Sequence, residues 1–386
     1  MKNISILGST GSIGVNALNV IDNLADKFNV KALSAYKNSN VLIEQAKKYQ
    51  PETIAIVDSS RVDFVKESLK DSAISVLHGR EGLLELSSRS DVDIMLNSLV
   101  GSSGMEPTIN AIRSSVDIAL SNKESLVMAG DIIDKEKNKY GAKIFPVDSE
   151  HSAIWQCLAG ERIDNVEKII LTGSGGPFRT RDINTFSEIK KEEALDHPNW
   201  SMGNKITIDS ATMMNKGLEV IETKWLFGVN EDKIKIIVHP ESIIHSMVEF
   251  KDKSVKAQLG VPDMKVPIQY ALTYPDRCFG NWESLDLLQL GSINFEPPDT
   301  ERFPCISLAY EALNKAGTMP AVLNVANEQA VYRFLNNEIG FMDIPYIIEK
   351  ACEKHDWVSN PSLDDLLHLE AWTTDYVKRF VSKKVG

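Results

Sequence analysis

The first 147 residues alternate between short apolar runs and longer stretches with helical periodicity. The predicted strands are Asn3–Leu7, Val30–Ala35, Thr53–Val57, Ile94–Asn97, Asp117–Leu120 and Lys143–Pro146. The helices predicted between them include Ile13–Leu24, Val41–Tyr49 and Met105–Arg113. Strands that alternate with helices in this way predict an α/β domain over residues 1–147, with the doubly wound parallel sheet of a Rossmann-like fold.

The pattern changes after residue 147. A central α+β domain is predicted over 148–274, with the strands Lys168–Thr172, Lys235–Val238, Ile244–Glu249 and Val255–Leu259 and the long helix Ala211–Phe227. Residues 275–304 are rich in turn formers and predict a linker. Residues 305–386 predict a C-terminal α-helical bundle with the helices Ser307–Lys315, Ala321–Leu335, Phe341–His355 and Leu363–Ser382.

Charge and composition narrow the class of protein. The chain has 42 basic and 54 acidic residues and a net charge of −12, which disfavours binding to nucleic acid or to an anionic membrane. Its 4 cysteines are scattered, which fits a reducing compartment. No apolar run approaches the roughly 18–20 residues of a membrane span, and no targeting segment is recognisable. The expectation is a soluble cytoplasmic protein that binds any phosphate through local donors.

A glycine-rich turn follows the first predicted strand. Gly8, Gly11 and Gly14 lie in the string GSTGSIG, between that strand and a predicted helix. Glycine permits a tight turn and close approach of a pyrophosphate, which the N-terminus of the next helix attracts. The GxxGxxG spacing has a first gap one residue longer than the GxGxxG fingerprint. The turn predicts a dinucleotide site, and a tight turn that binds nothing is the alternative.

The end of the second predicted strand indicates which dinucleotide. An NAD site usually has Asp or Glu there, to bind the ribose 2′-hydroxyl. This chain has Tyr36, Lys37, Asn38 and Ser39 instead, with one cation and no carboxylate. The segment favours NADP(H), unless Lys37 is an ordinary surface lysine.

Two acidic residues follow the last strand of the first domain. Asp148 and Glu150 are two apart, and in extended geometry both side chains leave the same face. That arrangement suits two oxygen ligands on one hard cation. Acidic pairs at strand ends are common, so the pair alone does not establish a metal site.

A second segment adds donors and a third acid. Asp209 or Ser210 is predicted to cap the long helix, and Asn215, Lys216 and Glu219 converge on one edge of it by their i,i+3 and i,i+4 spacing. Ser210, Asn215 and Lys216 would suit a phosphate near a helix start. The alternative is a surface helix with an energetically weak Lys216–Glu219 pair.

A third segment, from Leu171 to Gly203, is glycine-rich and then polar. The loop Gly173–Gly176 would form either an anion-binding nest or a flexible hinge. The stretch His197–Gly203, which contains Trp200, fits a lid that closes over a substrate. A lone histidine is more often structural than catalytic, so His197 stays open on this ground.

Seven ordered strings together resemble the 1-deoxy-D-xylulose 5-phosphate reductoisomerase family over essentially the whole chain. They are GSTGSIG (8–14), SNKESLV (121–127), PVDSEHSAI (146–154), LTGSGGPFR (171–179), HPNWSMG (197–203), DSATMMNKGLE (209–219) and GVPDMKVPI (260–268). The resemblance implies NADPH-dependent conversion of 1-deoxy-D-xylulose 5-phosphate to 2-C-methyl-D-erythritol 4-phosphate in non-mevalonate isoprenoid biosynthesis. It also implies a homodimer.

The resemblance implies a role for each matching residue. Asp148, Glu150 and Glu219 would hold Mg²⁺ or Mn²⁺ and, with Lys123, form the catalytic set. The implied substrate contacts are Lys123, Ser149, Glu150, Ser174, His197, Ser210, Asn215, Lys216 and Glu219, most of the later ones at the phosphate end. The implied NADPH contacts are Thr10, Gly11, Ser12, Ile13, Lys37, Asn38, Asn122, Glu124 and Gly203. Trp200 falls in a lid of about residues 174–204, and His151 and His245 match histidines near the site.

One residue departs from the family pattern, which has glycine where this chain has Tyr36. The contacts to the 2′-phosphate are therefore left open. So is the route of the rearrangement, which would be retro-aldol/aldol or an α-ketol shift. Two rival functions are a semialdehyde dehydrogenase, which needs a nucleophilic cysteine, and a non-catalytic NADP-binding sensor, which would have lost some of these acids or phosphate donors.

Overall fold

The computed structural model describes residues 1–381 and divides into two compact units. The first unit comprises residues 1–125, 133–152 and 263–283. The second comprises residues 126–132, 153–262 and the described residues from 284 onward. These two units differ from the domains predicted with boundaries at residues 147, 274 and 304. The predicted boundaries stay a prediction.

The regular elements are numbered in chain order. The strands are β1 (Lys2–Leu7), β2 (Phe28–Ala35), β3 (Thr53–Ile56), β4 (Ser75–His78), β5 (Ile94–Asn97), β6 (Asp117–Leu120), β7 (Ile144–Pro146), β8 (Val166–Gly173), β9 (Ile234–Val238), β10 (Ile244–Phe250) and β11 (Val255–Leu259). The helices are α1 (Ser12–Asn23), α2 (Ser39–Tyr49), α3 (Val62–Ser68), α4 (Gly79–Ser87), α5 (Met105–Arg113), α6 (Lys123–Tyr140), α7 (Ser149–Leu158), α8 (Lys191–Ala194), α9 (Asn204–Ala211), α10 (Met214–Phe227), α11 (Lys265–Thr273), α12 (Leu287–Leu290), α13 (Cys305–Lys315), α14 (Met319–Leu335), α15 (Asp343–Lys354) and α16 (Leu363–Arg379). Over residues 1–381, none of these helices combines the length and apolar character needed to span a bilayer.

The first unit is built on a seven-stranded parallel sheet of order β4-β3-β2-β1-β5-β6-β7. Ile4, Ile6 and Leu7 of β1 have no exposed surface, as expected for a strand covered on both faces. The strand order reverses between β1 and β5, and ligands of such sheets bind beyond the carboxyl ends of the strands at that point. The predicted Rossmann-like fold is confirmed. The edge strand β4 was missed, because its side chains are only half-buried or exposed.

The second unit contains a four-stranded sheet of order β11-β10-β8-β9. β8 and β9 are parallel, and the other two pairs are antiparallel. The four predicted strands of this small sheet are confirmed, and the glycine-rich loop leaves the carboxyl end of β8 at Gly173.

The C-terminal helices pack against the segment that follows this loop. The Phe178 ring lies 5.3 Å from the Phe341 ring and 6.1 Å from the Phe186 ring, centroid to centroid. Phe341 also contacts Phe334 of α14 at 5.8 Å. The predicted helical bundle is confirmed for the described residues and anchors one end of the loop. The predicted last helix reached Ser382, which lies outside the described residues, whereas α16 ends at Arg379.

The long helix predicted over Ala211–Phe227 is confirmed over Met214–Phe227, but its predicted start is wrong, because α9 ends at Ala211 and the chain breaks before α10. Met213 has φ 59° and ψ 9°, in the left-handed region that stops a helix. The Thr212 hydroxyl donates to the Ile208 carbonyl (3.1 Å) and accepts from the Met214 N–H (3.4 Å). Asp209 and Ser210 therefore end α9 and do not cap α10.

The extended geometry predicted for Asp148 and Glu150 is also wrong. β7 ends at Pro146, and α7 starts at Ser149. The Ser152 N–H donates to the Asp148 carbonyl at 2.8 Å, so Asp148 stands at the start of this helix and Glu150 lies in its first turn. Asp is a preferred residue at a helix start, and this local preference overrides the strand pattern.

The close contact between α10 and α13 generates a stability prediction. A Cβ on Gly217 would lie 2.6 Å from the Ala309 Cβ, too close for two carbons. We expect Gly217→Ala to lower the free energy of unfolding by about 1–3 kcal/mol through overpacking, although alanine favours helix. Urea denaturation measures the change.

The double variant Gly217→Ala/Ala309→Gly is the control, because it returns space to the same contact. Ala309→Gly alone should cost about 1 kcal/mol in helix propensity. The double variant should lose less than the two single losses combined. Strict additivity would show that the α10–α13 contact does not limit residue 217.

Candidate active site

A tight turn joins β1 to α1. Gly8 has φ 82°, and a Cβ there would lie 2.9 Å from the Ser98 carbonyl oxygen. A Cβ on Gly14 would lie 2.5 Å from the Ser9 Cα. Gly11 precedes α1 and has no side chain to occupy the first N–H groups of that helix, whose first turn has no acidic residue. The turn thus has the backbone donors and the space that a pyrophosphate requires. The cofactor contacts predicted here are exposed or half-buried: Thr10, Gly11, Ser12 and Ile13.

The second predicted nucleotide contact lies just after β2. Lys37 and Asn38 are exposed, and the Tyr36 side chain is 68% exposed. Asn38 Oδ1 accepts from the Val41 N–H at 3.4 Å and so caps α2. The segment places a cation at the end of β2, as the sequence predicted, with the Tyr36 side chain exposed beside it.

Asn122 and Glu124 are buried in the first unit. Asn122 Oδ1 accepts from the Ser125 N–H (3.0 Å), and its Nδ2 donates to the Leu99 and Gly101 carbonyls (both 2.9 Å). Asn122 Nδ2 also lies 3.1 Å from a Glu124 carboxylate oxygen. Asn122 therefore caps α6 and ties it to the loop after β5, and the NADPH contacts predicted for Asn122 and Glu124 stay predictions.

The first unit holds two of the predicted metal ligands beside donors. Lys123 Nζ lies 2.7 Å from Asp148 Oδ2, and their side chains are 6% and 14% exposed. His151 is fully buried, with Nδ1 3.6 Å from the same oxygen. The Ser149 hydroxyl donates to Glu150 Oε2 at 2.5 Å. The structure therefore brings the predicted residues Lys123, Asp148, Ser149 and Glu150 into one local cluster.

The second unit buries the third predicted ligand completely. Glu219 has no exposed side-chain surface; its Oε2 accepts from Lys216 Nζ (2.6 Å) and its Oε1 from Asn215 Nδ2 (2.5 Å). A Cβ on Gly173 would lie 3.0 Å from the Lys216 Cδ, so the end of β8 leaves just enough room for this lysine. The alternative of a weak surface pair is wrong, because the pair is buried.

A histidine links two of the predicted phosphate-binding serines. His197 Nε2 lies 3.2 Å from the Ser174 Oγ and 3.1 Å from the Ser210 Oγ. The Gly176 N–H donates to the Ser174 Oγ at 3.2 Å, and a Cβ on Gly176 would lie 2.7 Å from the Ser210 carbonyl oxygen. The glycine-rich loop thus packs on the end of α9 and gathers Ser174, His197 and Ser210.

The hydrogen bonds of His197 define its tautomer. Nδ1 accepts from the N–H groups of Asn199 (3.2 Å) and Trp200 (3.0 Å), so it carries no proton and the neutral ring has its proton on Nε2. Burial lowers the pKa of His197 below its ordinary value of 6.5, and the neighbouring Lys216 charge lowers this pKa further. His197 is therefore a neutral donor to a serine hydroxyl or to a bound anion at neutral pH.

The predicted lid segment is anchored at its centre. Asn199 Nδ2 donates to the Pro240 carbonyl (2.6 Å) and the Ser242 hydroxyl (2.8 Å). The Trp200 ring lies 6.2 Å from the ring of the buried His245. Gly203 is exposed and precedes α9 without a side-chain cap. Asn199 was missed in the sequence, although it stands inside the HPNWSMG string.

Two other features were also missed. Lys205 and Asp209 form a buried ion pair of 2.7 Å on α9, which their i,i+4 spacing could have indicated. The Ser98 hydroxyl donates to the Leu7 carbonyl at 2.6 Å and so holds the loop after β5 against the glycine turn. Nothing in the sequence pairs Ser98 with Leu7, because they lie 91 positions apart.

Three of the 4 cysteines, Cys157, Cys305 and Cys352, do not provide an activated nucleophile. Burial raises the pKa of the Cys157 thiol to about 11 and those of Cys305 and Cys352 to about 12. A catalytic cysteine needs a lowered pKa, because the thiolate is the reactive form. These three cysteines therefore argue against a semialdehyde dehydrogenase.

The doubly wound sheet and its glycine turn define a dinucleotide-binding fold, here joined to a second unit with a buried carboxylate and clustered serines. Comparison with known proteins identifies the group. Family profiles match residues 4–130 (1-deoxy-D-xylulose 5-phosphate reductoisomerase), 144–227 (the C-terminal domain of the same enzyme) and 259–376 (DXP reductoisomerase C-terminal domain). The chain belongs to the 1-deoxy-D-xylulose 5-phosphate reductoisomerase family, as its motifs indicated.

Individual relatives agree with the profiles. A 1-deoxy-D-xylulose 5-phosphate reductoisomerase of Chloroherpeton thalassium is 53% identical over 377 residues, which are 98% of this chain and 97% of the relative. The Zymomonas mobilis enzyme in complex with NADPH is 41% identical, with a TM-score of 0.91 over 97% of this chain and 98% of that chain. A DOX-P reductoisomerase in complex with NADPH, fosmidomycin and magnesium is 38% identical, with a TM-score of 0.93 over 98% of both chains.

The lowered pKa of His197 predicts a pH-dependent stability contribution. Protonation of Nδ1 would break its bonds to the Asn199 and Trp200 N–H groups. Because the folded pKa lies below the unfolded value, the contribution is complete above that value and is lost as the pH falls through the folded pKa. The difference in unfolding free energy between the unsubstituted chain and His197→Ala should therefore be larger at about pH 7.5 than at about pH 5.

His368→Ala, which removes an exposed histidine of α16, controls for the general loss of an imidazole. A His197→Ala difference that stays constant or grows toward acidic pH would contradict the assigned tautomer.

Proposed function

We propose that the chain binds NADPH and a divalent metal ion and converts 1-deoxy-D-xylulose 5-phosphate to 2-C-methyl-D-erythritol 4-phosphate, by rearrangement of the carbon skeleton and reduction. Membership of the family and near-complete coverage of its relatives support this activity. The observation that carries it is the fully buried Glu219 carboxylate, one helical turn from the phosphate donors Asn215 and Lys216. A sensor without catalysis would have no need of this costly buried charge.

The metal ion is assigned to the carboxylates of Asp148, Glu150 and Glu219. Carboxylate oxygens are the ligands that Mg²⁺ and Mn²⁺ prefer. The surroundings of two of these acids support the assignment. Lys123 lies at Asp148 and Lys216 lies at Glu219, so each of these carboxylates is held beside the positive charge of a lysine. When bound, such an ion supplies polarisation of the substrate carbonyl and stabilisation of negative charge on its oxygen.

The lysines orient these acids and contact the substrate. Lys123 Nζ is fixed by Asp148 on one side, and its remaining N–H bonds can reach a hydroxyl of the substrate. Ser149, whose hydroxyl donates to Glu150, orients that carboxylate and offers its oxygen lone pairs as acceptors. Both residues restrict the position of the reacting carbons, which favours the rearrangement entropically.

The phosphate of the substrate is assigned to Ser174, His197, Ser210, Asn215 and Lys216. Ser174 and Ser210 both contact the neutral His197, so three donors converge without a net positive charge. Lys216 adds the cation. Binding energy from a phosphate remote from the reacting carbons can drive closure of the lid around Trp200 and exclude water.

The nicotinamide cofactor is assigned to the glycine turn and the end of β2. Gly8 and Gly14 provide the tight turn in which a Cβ would clash, and α1 begins within this turn at Ser12 without a side-chain cap. Lys37 would pair with the 2′-phosphate. When bound, NADPH supplies the hydride for the reduction.

Assembly into a homodimer and a cytoplasmic location remain proposals. In the described part of the small sheet, β11 is an edge strand with exposed apolar residues, among them Val255 (50%) and Leu259 (39%). Such an edge is a surface to which a second chain can add.

The proposed activity is tested by following NADPH absorbance at 340 nm with 1-deoxy-D-xylulose 5-phosphate, with and without Mg²⁺. We expect oxidation of NADPH only when both the substrate and the metal ion are present. Absence of substrate-dependent oxidation with Mg²⁺ or Mn²⁺ would overturn the proposal.

The metal assignment predicts that Asp148→Asn lowers kcat by about a hundredfold or more, since it removes the charge of one ligand while keeping its shape. Glu249→Gln is the matched control, because Glu249 is 16% exposed and pairs with Lys168 at 2.9 Å on the small sheet, much as Asp148 pairs with Lys123. Glu249→Gln should keep kcat and its Mg²⁺ dependence. Equal kcat values in the two variants would defeat the assignment.

The cofactor assignment predicts that Lys37→Ala raises the KM for NADPH about fivefold, the effect of losing one exposed ion pair. The KM for NADH should not change, because NADH has no 2′-phosphate. Lys47→Ala, at an exposed position in the last turn of α2, should leave both KM values unchanged. A parallel rise for NADPH and NADH in Lys37→Ala would refute a specific 2′-phosphate contact.

A further inference from the structure

The junction between α9 and α10 sets the spacing of the proposed phosphate donors. Ser210 lies in the last turn of α9, whereas Asn215 and Lys216 lie in the first turn of α10. The left-handed Met213 and the bonds of the Thr212 hydroxyl connect the two helices through a short turn. Any shift of α9 along its axis therefore moves Ser210 relative to the donors on α10.

The Asp209 side chain anchors α9 through both of its carboxylate oxygens. Asp209 Oδ2 pairs with Lys205 Nζ at 2.7 Å, and the two side chains are only 2% and 6% exposed. Asp209 Oδ1 accepts from Asn327 Nδ2 of α14 at 2.8 Å, and Asn327 has no exposed surface. Lys205 belongs to α9 itself, so the bond to Asn327 is what ties this carboxylate to a different helix.

The hydrogen bond of Asn327 is made to Asp209 and not to a phosphate donor, so its effect passes through Asp209. Ser210 is the next residue after Asp209, and its Oγ lies 3.1 Å from His197 Nε2. Its carbonyl oxygen is also where Gly176 of the glycine-rich loop approaches closely. Fixing Asp209 therefore fixes the end of α9 against which the loop, His197 and Ser210 assemble.

We propose that Asn327, through its hydrogen bond to Asp209, is a positioning residue for the phosphate of the substrate. The inference rests on the assignment of Ser210, Asn215 and Lys216 to that phosphate. It assigns to α14 a part in substrate binding beyond its packing role, because α14 supplies the fixed point that holds Ser210 in register with Asn215 and Lys216.

The same helix offers a matched control. Asn324 lies one turn before Asn327 and is equally buried, with 0% exposure for both. Within residues 1–381, neither the Nδ2 nor the Oδ1 of Asn324 has a hydrogen-bond partner. Asn324→Leu and Asn327→Leu are therefore the same chemical change at the same burial on one helix, and only the second removes a bond to Asp209.

The test measures steady-state kinetics with 1-deoxy-D-xylulose 5-phosphate, NADPH and Mg²⁺, and competitive inhibition by inorganic phosphate. We expect Asn327→Leu to raise the KM for the sugar phosphate and the inhibition constant of phosphate about fivefold or more. The KM for NADPH should stay constant, since the dinucleotide is assigned to the glycine turn and the end of β2. Asn324→Leu should leave all three constants unchanged.

Ser210→Ala in the same assay distinguishes a failure of the positioning role of Asn327 from a failure of the phosphate assignment. If Ser210→Ala raises the KM for the sugar phosphate and Asn327→Leu does not, the positioning role is wrong while the phosphate site stands. If Ser210→Ala has no effect, the phosphate assignment fails and the inference fails with it. Equal shifts in Asn324→Leu and Asn327→Leu, or a parallel rise in the KM for NADPH, would show a general packing effect and also overturn it.

Should Asn327→Leu not fold, Asn327→Ser replaces it. Its hydroxyl is too short to span the distance from α14 to Asp209, and its smaller volume avoids overpacking. The same selective rise is expected, and an unchanged KM for the sugar phosphate would overturn the proposal.

Discussion

A carboxylate with no exposed surface has to be compensated inside the protein, and Glu219 is in this position. Its two oxygens accept from Lys216 and Asn215, three and four residues earlier on α10. Both partners therefore require α10 to be regular from its first turn, which begins at Met214 directly after the left-handed Met213. The break between α9 and α10 lies directly before this first turn. It also brings Ser210 to the end of one helix and the other donors to the start of the next.

Residues around α10 also hold this helix and its donors in place. Gly217 lets α10 approach α13, and Gly173 leaves room for the Lys216 stem. Gly176 packs on the end of α9, while Phe178 anchors the far end of the same loop among the aromatic rings that precede α15. These contacts fix the proposed donors Ser210, Asn215 and Lys216 on a packed base formed by the two helices.

Much of this was predictable from local patterns. The buried parallel strands β5 and β6 were predicted at their observed bounds, because apolar runs between turn formers specify them without reference to the rest of the chain. The i,i+3 and i,i+4 contacts of Lys216 and Asn215 with Glu219 also followed from spacing alone. The burial of Lys216 and Glu219 could not be predicted from spacing, because it depends on β8 and α13, which pack on α10 from distant parts of the sequence.

The features that were not predicted have identifiable physical causes. Met213 adopts a left-handed conformation although methionine has no preference for it, so nothing local marks the break. The bond between Asn327 and Asp209 joins residues 118 positions apart. The start of α7 could have been predicted, because Asp148 precedes Ser149 and Glu150 in an order typical of a helix start.

The central proposal is that the carboxylates of Asp148, Glu150 and Glu219 hold one divalent ion. Anomalous diffraction from crystals grown with Mn²⁺ tests it most directly. The account predicts one strong peak with an oxygen of Asp148, Glu150 and Glu219 each at about 2.0–2.3 Å. A Mn²⁺ peak that lacks Glu219 among its ligands, or one located away from all three acids, would contradict it.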